Sequence, residues 1–236
     1  MADVVLVHGS MHGAWCWDLV TPLLADLGHT VQAIDLPGQG ADTTPAQDVT
    51  ADDWAEAVAC AVRSAKGPVV LVGHSMGGTA VSQGAERVSD RVRGIIYISA
   101  IMIPAGETIL SACPEVLEIA EKTAQEVPDP ASAAIRLLYG HTPPELAAMA
   151  IERLRPQPEQ VVSAPIVITD DHYGRIPRAY IECEDDGIVP LAVQRRMQQA
   201  LPCSPVVTMP GDHSPFLSAP SVLARHVDQI AREFCS

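Results

Sequence analysis

Residues 69–77 read VVLVGHSMG, and this stretch decides the fold. The four apolar residues at its start predict a buried β-strand, and the run of small residues at 78–86 is compatible with a helix. Ser75 lies at the turn between them, flanked by Gly73 and Gly77, which leave room where a strand turns sharply into a helix. The spacing G-x-S-x-G in this context is typical of a nucleophile elbow, in which a serine hydroxyl projects toward a base. The alternative is an ordinary strand-to-helix turn that happens to hold a serine.

Short apolar stretches alternate with helical patterns along most of the chain. The strand candidates are residues 4–7, 31–34, 69–72, 95–98, 179–183 and 206–209. The main helix candidates are residues 17–27, 52–65, 78–86, 191–200 and 222–234. Because the strands are apolar throughout, we predict an α/β fold with a doubly wound, mostly parallel sheet that is covered on both faces. Functional residues are then expected at the carboxyl ends of the strands.

One long segment, residues 104–177, breaks this alternation. It is richer in proline, and its regular stretches are helical, at 114–123, 131–138 and 144–154. We interpret it as a helical lid inserted after the fourth strand, which leaves residues 1–103 and 178–236 as the core domain. The alternative is a packing subdomain with no gating role. Its larger apolar residues either line a pocket or form the lid's own core, and their helical spacing favours the core: Leu110, Val116, Leu117, Leu138, Tyr139 and Met149.

Composition excludes several classes of protein. The 236 residues fit one large domain, and a formal net charge of −14 disfavours binding to nucleic acid or to anionic membranes. Six cysteines are scattered without a C-x-x-C pair, which is typical of free thiols in a reducing compartment. No basic segment followed by a long apolar run opens the chain, and no apolar run reaches about 18 residues. We therefore expect a cytoplasmic protein without a membrane partner.

A serine nucleophile needs a base within hydrogen-bond reach and an acid that orients this base. In enzymes with this elbow the acid and then the histidine follow the serine along the chain. His213 comes directly after the last predicted strand, which favours it as the base over an ordinary surface histidine. The loop after the fifth strand holds several carboxylates, and spacing alone leaves Asp185 and Asp186 both open as the acid.

The loop after the first strand, residues 8–13, reads HGSMHG. Its glycines allow close approach to a substrate, so we expect an oxyanion hole formed by the backbone N–H groups of Ser10 and Met76. The Ser10 hydroxyl itself is expected only to cap or solvate its loop. We expect no metal site, because no spaced set of carboxylates or cysteines accompanies the nearby histidines. We interpret these histidines as ligands of backbone groups: His8, His12 and His74.

Several stretches together resemble the plant methylesterase and hydroxynitrile lyase family, a branch of the α/β hydrolases with bacterial relatives. The most specific is VLVHGSMHGAWCW at residues 5–17, and further stretches are DLPGQG at 35–40, GHSMGG at 73–78, ISAIMIP at 98–104 and GDH at 211–213. The resemblance covers nearly the whole chain and is weakest inside the lid. It implies an α/β-hydrolase fold with Ser75, His213 and an acid as catalytic residues.

The resemblance also separates the two candidate acids. In the family pattern the acid lies six residues after the strand tyrosine and eight before a glutamine. Counting from Tyr180 and back from Gln194 gives Asp186 both times, and Asp185 becomes the fallback.

The same family contains esterases and lyases, and two positions distinguish them. The lyases carry a threonine where this chain has Gly9, and a lysine where it has Ser214. The resemblance therefore implies a serine carboxylesterase that hydrolyses small to medium apolar or aromatic esters through an acyl-serine, without a cofactor. The expected partner is a small-molecule ester, and a homodimer is left open. The alternatives are a hydroxynitrile lyase, a non-catalytic small-molecule receptor, or cleavage of lactones or thioesters.

Overall fold

A computed structural model describes all 236 residues, and its centre is a six-stranded sheet. The order is β2-β1-β3-β4-β5-β6, and every neighbouring pair is parallel. The doubly wound sheet predicted from the apolar runs is thus confirmed. The strands are β1 (Asp3–Val7), β2 (Thr30–Ile34), β3 (Val69–His74), β4 (Val92–Ile98), β5 (Arg178–Cys183) and β6 (Val206–Met209).

Helices cover both faces of the sheet. Successive side chains of β3 alternate between two apolar clusters: Val69 and Leu71 belong to one, and Val70 and Val72 belong to the other. Burying each such side chain stabilises the fold by roughly 1.5–3 kcal/mol. The helices of this core are α1 (Thr21–Asp26), α2 (Ala51–Ser64), α3 (Gly77–Arg87), α9 (Leu191–Ala200), α10 (Pro215–Ser218) and α11 (Pro220–Phe234).

The helix expected at residues 17–27 is shorter than predicted. A 3-10 turn spans Ala14–Trp17, and α1 begins only at Thr21. Pro22 explains this boundary, because proline lacks an N–H and fits the first turn of a helix better than its interior. No helix of the chain combines the length and the apolarity that crossing a membrane requires.

All five helices between β4 and β5 belong to the segment interpreted as a lid. They are α4 (Ile109–Ala112), α5 (Pro114–Glu126), α6 (Pro130–Leu138), α7 (Pro144–Arg153) and α8 (Glu159–Ser163). The sequence pattern located α5, α6 and α7, whereas α4 and α8 are too short to show a helical period.

The last part of the predicted lid range, residues 164–177, packs on the core helix α3. The Val167 N–H donates to Gln83 Oε1 at 3.0 Å, and the Thr169 hydroxyl donates to Glu86 Oε1 at 2.7 Å. The Tyr173 hydroxyl lies 2.9 Å from the hydroxyl of Tyr97 on β4. The helices of the lid therefore end at Ser163, and residues 164–177 lead back to β5 along the core.

Candidate active site

Ser75 lies at the turn between β3 and α3, as the elbow motif predicts. Its φ angle is +52°, a left-handed conformation that is unusual for a residue with a side chain. Glycine is required on both sides. A Cβ on Gly73 would lie 2.6 Å from Val81, and a Cβ on Gly77 would lie 2.3 Å from the carbonyl oxygen of His8. The sharp turn thus brings the Ser75 hydroxyl clear of the sheet.

The structure brings Ser75, His213 and Asp186 into one hydrogen-bonded line. The Nε2 atom of His213 lies 2.9 Å from Ser75 Oγ, and its Nδ1 atom lies 2.6 Å from Asp186 Oδ2. Since a carboxylate only accepts, Nδ1 carries the proton, and Nε2 is free to accept the proton of the serine hydroxyl. All three residues are buried, at 8 %, 2 % and 7 % exposure for Ser75, His213 and Asp186.

Asp185, the fallback acid, lies elsewhere. Its side chain is half exposed, and its Oδ2 atom is 3.8 Å from Nε2 of the equally exposed His141. Spacing in the sequence did not separate two adjacent carboxylates, but the turn after β5 directs only Asp186 toward His213.

Asp186 is held by donors that the sequence analysis did not identify. Its Oδ1 atom accepts the N–H groups of Ile188 and Val189 at 2.8 and 2.7 Å. Its Oδ2 atom accepts a short hydrogen bond from the Ser99 hydroxyl, in addition to the contact with His213. Ser99 directly follows β4, and its one unusual local feature is a left-handed φ angle of +40°.

The buried amide of Gln194 fixes the acid loop as a whole. It accepts from the Cys183 N–H at 3.1 Å, and it donates to the carbonyls of Cys183 and Val189 at 2.9 and 2.8 Å. Gln194 thus connects the end of β5 to the far side of the loop that carries Asp186. The sequence pattern used Gln194 only as the residue from which the position of the acid is counted.

Asp212 fastens the histidine loop to the lid. Its carboxylate accepts four hydrogen bonds, from the N–H groups of His141 and Ser214 and from the hydroxyls of Thr142 and Ser218, at 2.7–3.0 Å. His141 and Thr142 belong to the loop between α6 and α7. The buried carboxylate of Asp212 therefore connects this loop of the lid to the loop that carries His213.

The two N–H groups predicted for an oxyanion hole both adjoin Ser75. Ser10 and Met76 line the same cavity as Ser75, and neither N–H donates to an acceptor within the chain. A Cβ on Gly9 would lie 2.6 Å from Ser75 Cβ, so this loop approaches Ser75 as closely as its glycine permits. The Ser10 hydroxyl does not cap its own loop. It donates instead to Gln157 Oε1 at 2.6 Å, across the boundary with the lid.

The three other histidines bind backbone groups, as expected. Nδ1 of His8 lies 2.7 Å from the Gly9 carbonyl, Nδ1 of His12 lies 2.7 Å from the Ser10 carbonyl, and Nε2 of His74 lies 2.7 Å from the His213 carbonyl. Burial lowers the pKa of His8 to about 4 and that of His12 to about 3, and it holds the pKa of His74 well below its usual value. The site is therefore built around neutral imidazoles.

A cavity of about 420 Å³ opens on Ser75 and His213. Most of its lining is apolar and comes from the lid, and its few polar side chains lie near the nucleophile. Of the apolar lid residues noted in the sequence, Val116, Leu117 and Leu138 line this cavity. Leu110 and Met149 are exposed outside it, and Tyr139 is buried, with its hydroxyl 2.9 Å from Nε2 of His12. The helical spacing favoured a position in the core of the lid for all six of these residues.

Comparison with known proteins supports the same family. The profile described as the Alpha/beta hydrolase family matches residues 4–226. A pyrethroid hydrolase of Sphingobium wenxiniae is 31 % identical over 255 residues, covering 98 % of this chain and 88 % of the relative. Methylesterase 2 of Arabidopsis thaliana is 32 % identical over 260 residues, covering 98 % and 96 %.

Solved structures extend the likeness to the fold. A crystal structure of a pyrethroid hydrolase has a TM-score of 0.82 at 28 % identity, covering 100 % of this chain and 99 % of that one. Tomato methylketone synthase I, complexed with 2-tridecanone, has a TM-score of 0.86 at 24 % identity and covers 99 % and 98 %, which speaks for the fold alone. The fold is thus that of the α/β hydrolases. The chain belongs to this family, in the branch that contains the plant methylesterases, as the sequence motifs indicated.

Proposed function

We propose that this protein is a serine carboxylesterase. The observation that carries the proposal is the continuous line from Ser75 Oγ through His213 to Asp186, at 2.9 and 2.6 Å, at one end of an apolar cavity. The related methylesterases and pyrethroid hydrolase support an esterase activity. A receptor that only binds its ligand would have no need of this proton relay, so the arrangement favours turnover.

The acylation step uses each member of this line in a distinct role. Ser75 Oγ attacks the ester carbonyl carbon while His213 Nε2 takes the hydroxyl proton, and Asp186 stabilises the imidazolium that forms. The carbonyl oxygen becomes an oxyanion next to the free N–H groups of Ser10 and Met76. When the tetrahedral intermediate collapses, the bond to the alkoxy group breaks, and His213 returns the proton to the departing alcohol.

Deacylation repeats the same steps with water. His213 removes a proton from water as its oxygen attacks the acyl-serine carbonyl, and Ser75 leaves with the proton restored. The protein's own residues suffice for this chemistry, so no cofactor enters the proposal.

Two positions disfavour a hydroxynitrile lyase. Gly9 lies too close to Ser75 for a threonine side chain without a shift of the loop. Ser214 is fully buried, and no cation follows His213 to support the departure of cyanide. The apolar lining of the cavity favours esters with an apolar or aromatic group of small to medium size.

Hydrolysis of p-nitrophenyl butyrate tests the proposal directly. Ser75→Ala is expected to lower kcat by up to roughly 10⁶-fold, and an aryl phosphonate is expected to inactivate the wild type but not this variant. Ser89→Ala, which changes a partly exposed serine outside the cavity, serves as the matched control. Near-normal turnover by Ser75→Ala would overturn the proposal. Cleavage of mandelonitrile without ester hydrolysis would favour the lyase, and tight acid binding without turnover would favour the receptor.

A further inference from the structure

The cavity at Ser75 has two ends of different character. All polar side chains in its lining lie at the reactive end, and they come from the core loops and from Gln157. The other end lies between α5 and α6 and has no polar side chain. Small residues face it from both helices: Ala120 and Ala124 on α5, and Ala133 and Ala134 on α6. We call this end of the cavity the α5–α6 passage.

The apolar faces of these two helices are only partly covered by the rest of the protein. Helix α5 fully buries only Thr123, and α6 buries no residue fully. By contrast, the core helix α2 fully buries six residues, although it is only one residue longer than α5. Apolar helix faces normally pack against a partner, so the partly covered faces of α5 and α6 leave apolar surface that a ligand can cover.

The α5–α6 passage has no closed wall at its outer end. Ala124, Pro128 and Pro130 line it there, and all three are exposed. A group that enters from Ser75 is therefore not stopped by a bulky side chain after a few atoms. This shape suits a long, unbranched group better than a compact one.

Helix α6 is also fixed relative to Ser75. A Cβ on Gly187 would lie 2.7 Å from the carbonyl oxygen of Arg136, so the end of α6 rests directly on the acid loop. The Tyr139 hydroxyl bonds to His12, and Asp212 holds the loop that follows α6. The wall formed by α6 is therefore held at a fixed distance from Ser75, as a site that selects esters by chain length requires.

We propose that the α5–α6 passage binds an extended, unbranched apolar chain of the ester, on its acyl or its alcohol side. The substrates would then be medium-chain aliphatic esters. This inference rests on the proposed esterase function and names its substrate class. Each methylene that moves from water into the passage is expected to raise kcat/KM by up to about fourfold.

Two ester series distinguish the side of the ester that carries the chain. The acyl series runs from p-nitrophenyl acetate through hexanoate and octanoate to decanoate, and the alcohol series runs from ethyl to decyl acetate. A rise of kcat/KM with chain length in one series supports the proposal and identifies that side. Values that are flat or falling in both series would overturn it.

Two variants narrow the passage without disturbing a helix, since leucine favours helices nearly as much as alanine. In the series that responds to chain length, Ala120→Leu and Ala133→Leu are each expected to lower the ratio of kcat/KM for the eight-carbon chain over that for the two-carbon chain by about tenfold or more. The matched control is Ala148→Leu, on an exposed position of α7 outside the cavity. If the melting temperatures agree and the ratio stays unchanged in both variants, the passage does not bind the chain.

Binding of intact esters to Ser75→Ala separates this inference from the proposed function. The eight-carbon ester of the series that responds to chain length, methyl octanoate or octyl acetate, is expected to bind at least tenfold more tightly than its four-carbon counterpart. Ala120→Leu in the same background is expected to remove the difference. If binding depends on chain length but the wild type hydrolyses no ester, the inference about the passage holds and the esterase proposal is wrong. Ester hydrolysis with binding that does not depend on chain length would do the reverse.

Discussion

The catalytic edge of the sheet and the tip of the lid differ in which side chains they bury. At the catalytic edge, which comprises the loops after β1, β3, β5 and β6, polar groups are buried and hydrogen-bonded. Asp212 accepts four hydrogen bonds there, and Asp186 accepts from two N–H groups, one hydroxyl and His213. At the lid tip, which comprises α5 and α6, the apolar faces are only partly covered and only Thr123 is fully buried.

Under the proposed function, the edge carries out the reaction and the lid tip selects the substrate. Proton transfer needs donors and acceptors at fixed distances, and the side chains of Asp186, His213 and Asp212 are held in this way by hydrogen bonds. The proposed binding of a substrate needs unfilled apolar volume, and the helices of the lid tip are only partly covered by the rest of the protein. Substitutions at the edge are therefore expected to change the rate with every ester, whereas substitutions at the tip change the ranking of esters.

The sharpest test of the edge compares two neighbouring carboxylates. Asp186→Asn is expected to lower kcat by about 10⁴-fold, because an amide no longer holds the His213 tautomer or stabilises its charged form. Asp185→Asn, at an exposed side chain 3.8 Å from His141, is expected to leave kcat unchanged. Steady-state kinetics with one short ester measures both. Equal losses in the two variants would contradict the assignment of the acid.

Asp212 joins the two regions, so its replacement tests whether the edge depends on the lid. An asparagine presents one acceptor atom where the carboxylate has two, so it leaves donors among His141, Thr142, Ser214 and Ser218 without a partner. The resulting displacement of His213 is expected to lower kcat by about 100-fold. Asp129→Asn, which retains a helix cap in the exposed part of the lid, is the control. Identical kcat values for the two variants would show that the fastening has no catalytic effect.

The edge and the tip are also expected to differ in their response to acid. Burial lowers the pKa of His8 to about 4 and that of His12 to about 3, so between pH ~6.5 and ~4 the unfolded chain binds protons that the folded chain does not. The free energy of unfolding is therefore expected to decrease as the pH falls through this range, by up to about 1.4 kcal/mol per pH unit for each histidine. The lid tip contains no buried histidine and contributes nothing to this slope.

Urea unfolding at several pH values measures this slope. His12→Gln is expected to reduce it, whereas His172→Gln, at an exposed position, is expected to leave it as it is. Carboxylates with lowered pKa values, such as Asp53 beside Thr50, act mainly below pH ~5. A stability that does not change between pH 7 and 5 would contradict the neutral, buried state of these histidines.

Ser99 gives the smallest expected effect. Its hydroxyl donates to the same oxygen of Asp186 that contacts His213. Without this donor the Asp186 carboxylate loses one of the groups that hold it in line with His213. Looser positioning of the acid is expected to lower kcat at neutral pH by about tenfold or less. A kcat equal to that of Ser89→Ala would show that Ser99 does not position the acid.

The sequence predicts the parts of the molecule that depend on local pattern. Six apolar runs became six parallel strands, and the glycines around Ser75 marked the turn correctly, because both features arise from neighbouring residues. The choice of Asp186 came from a family resemblance, since spacing alone treats adjacent carboxylates alike. The contact of Ser10 with Gln157 joins residues 147 positions apart, and no local pattern encodes it. The return of residues 164–177 to α3 was missed for the same reason.

Trapping of the acyl group is the most direct test of the central claim that Ser75 is acylated through the relay of His213 and Asp186. Rapid quenching during turnover of p-nitrophenyl butyrate, followed by mass spectrometry of the intact and digested protein, reports the adduct and its position. A butyryl group is expected on the peptide that contains Ser75, and it is expected to be absent from Ser75→Ala. Sustained hydrolysis with no adduct, or with the adduct on another residue, would contradict the account.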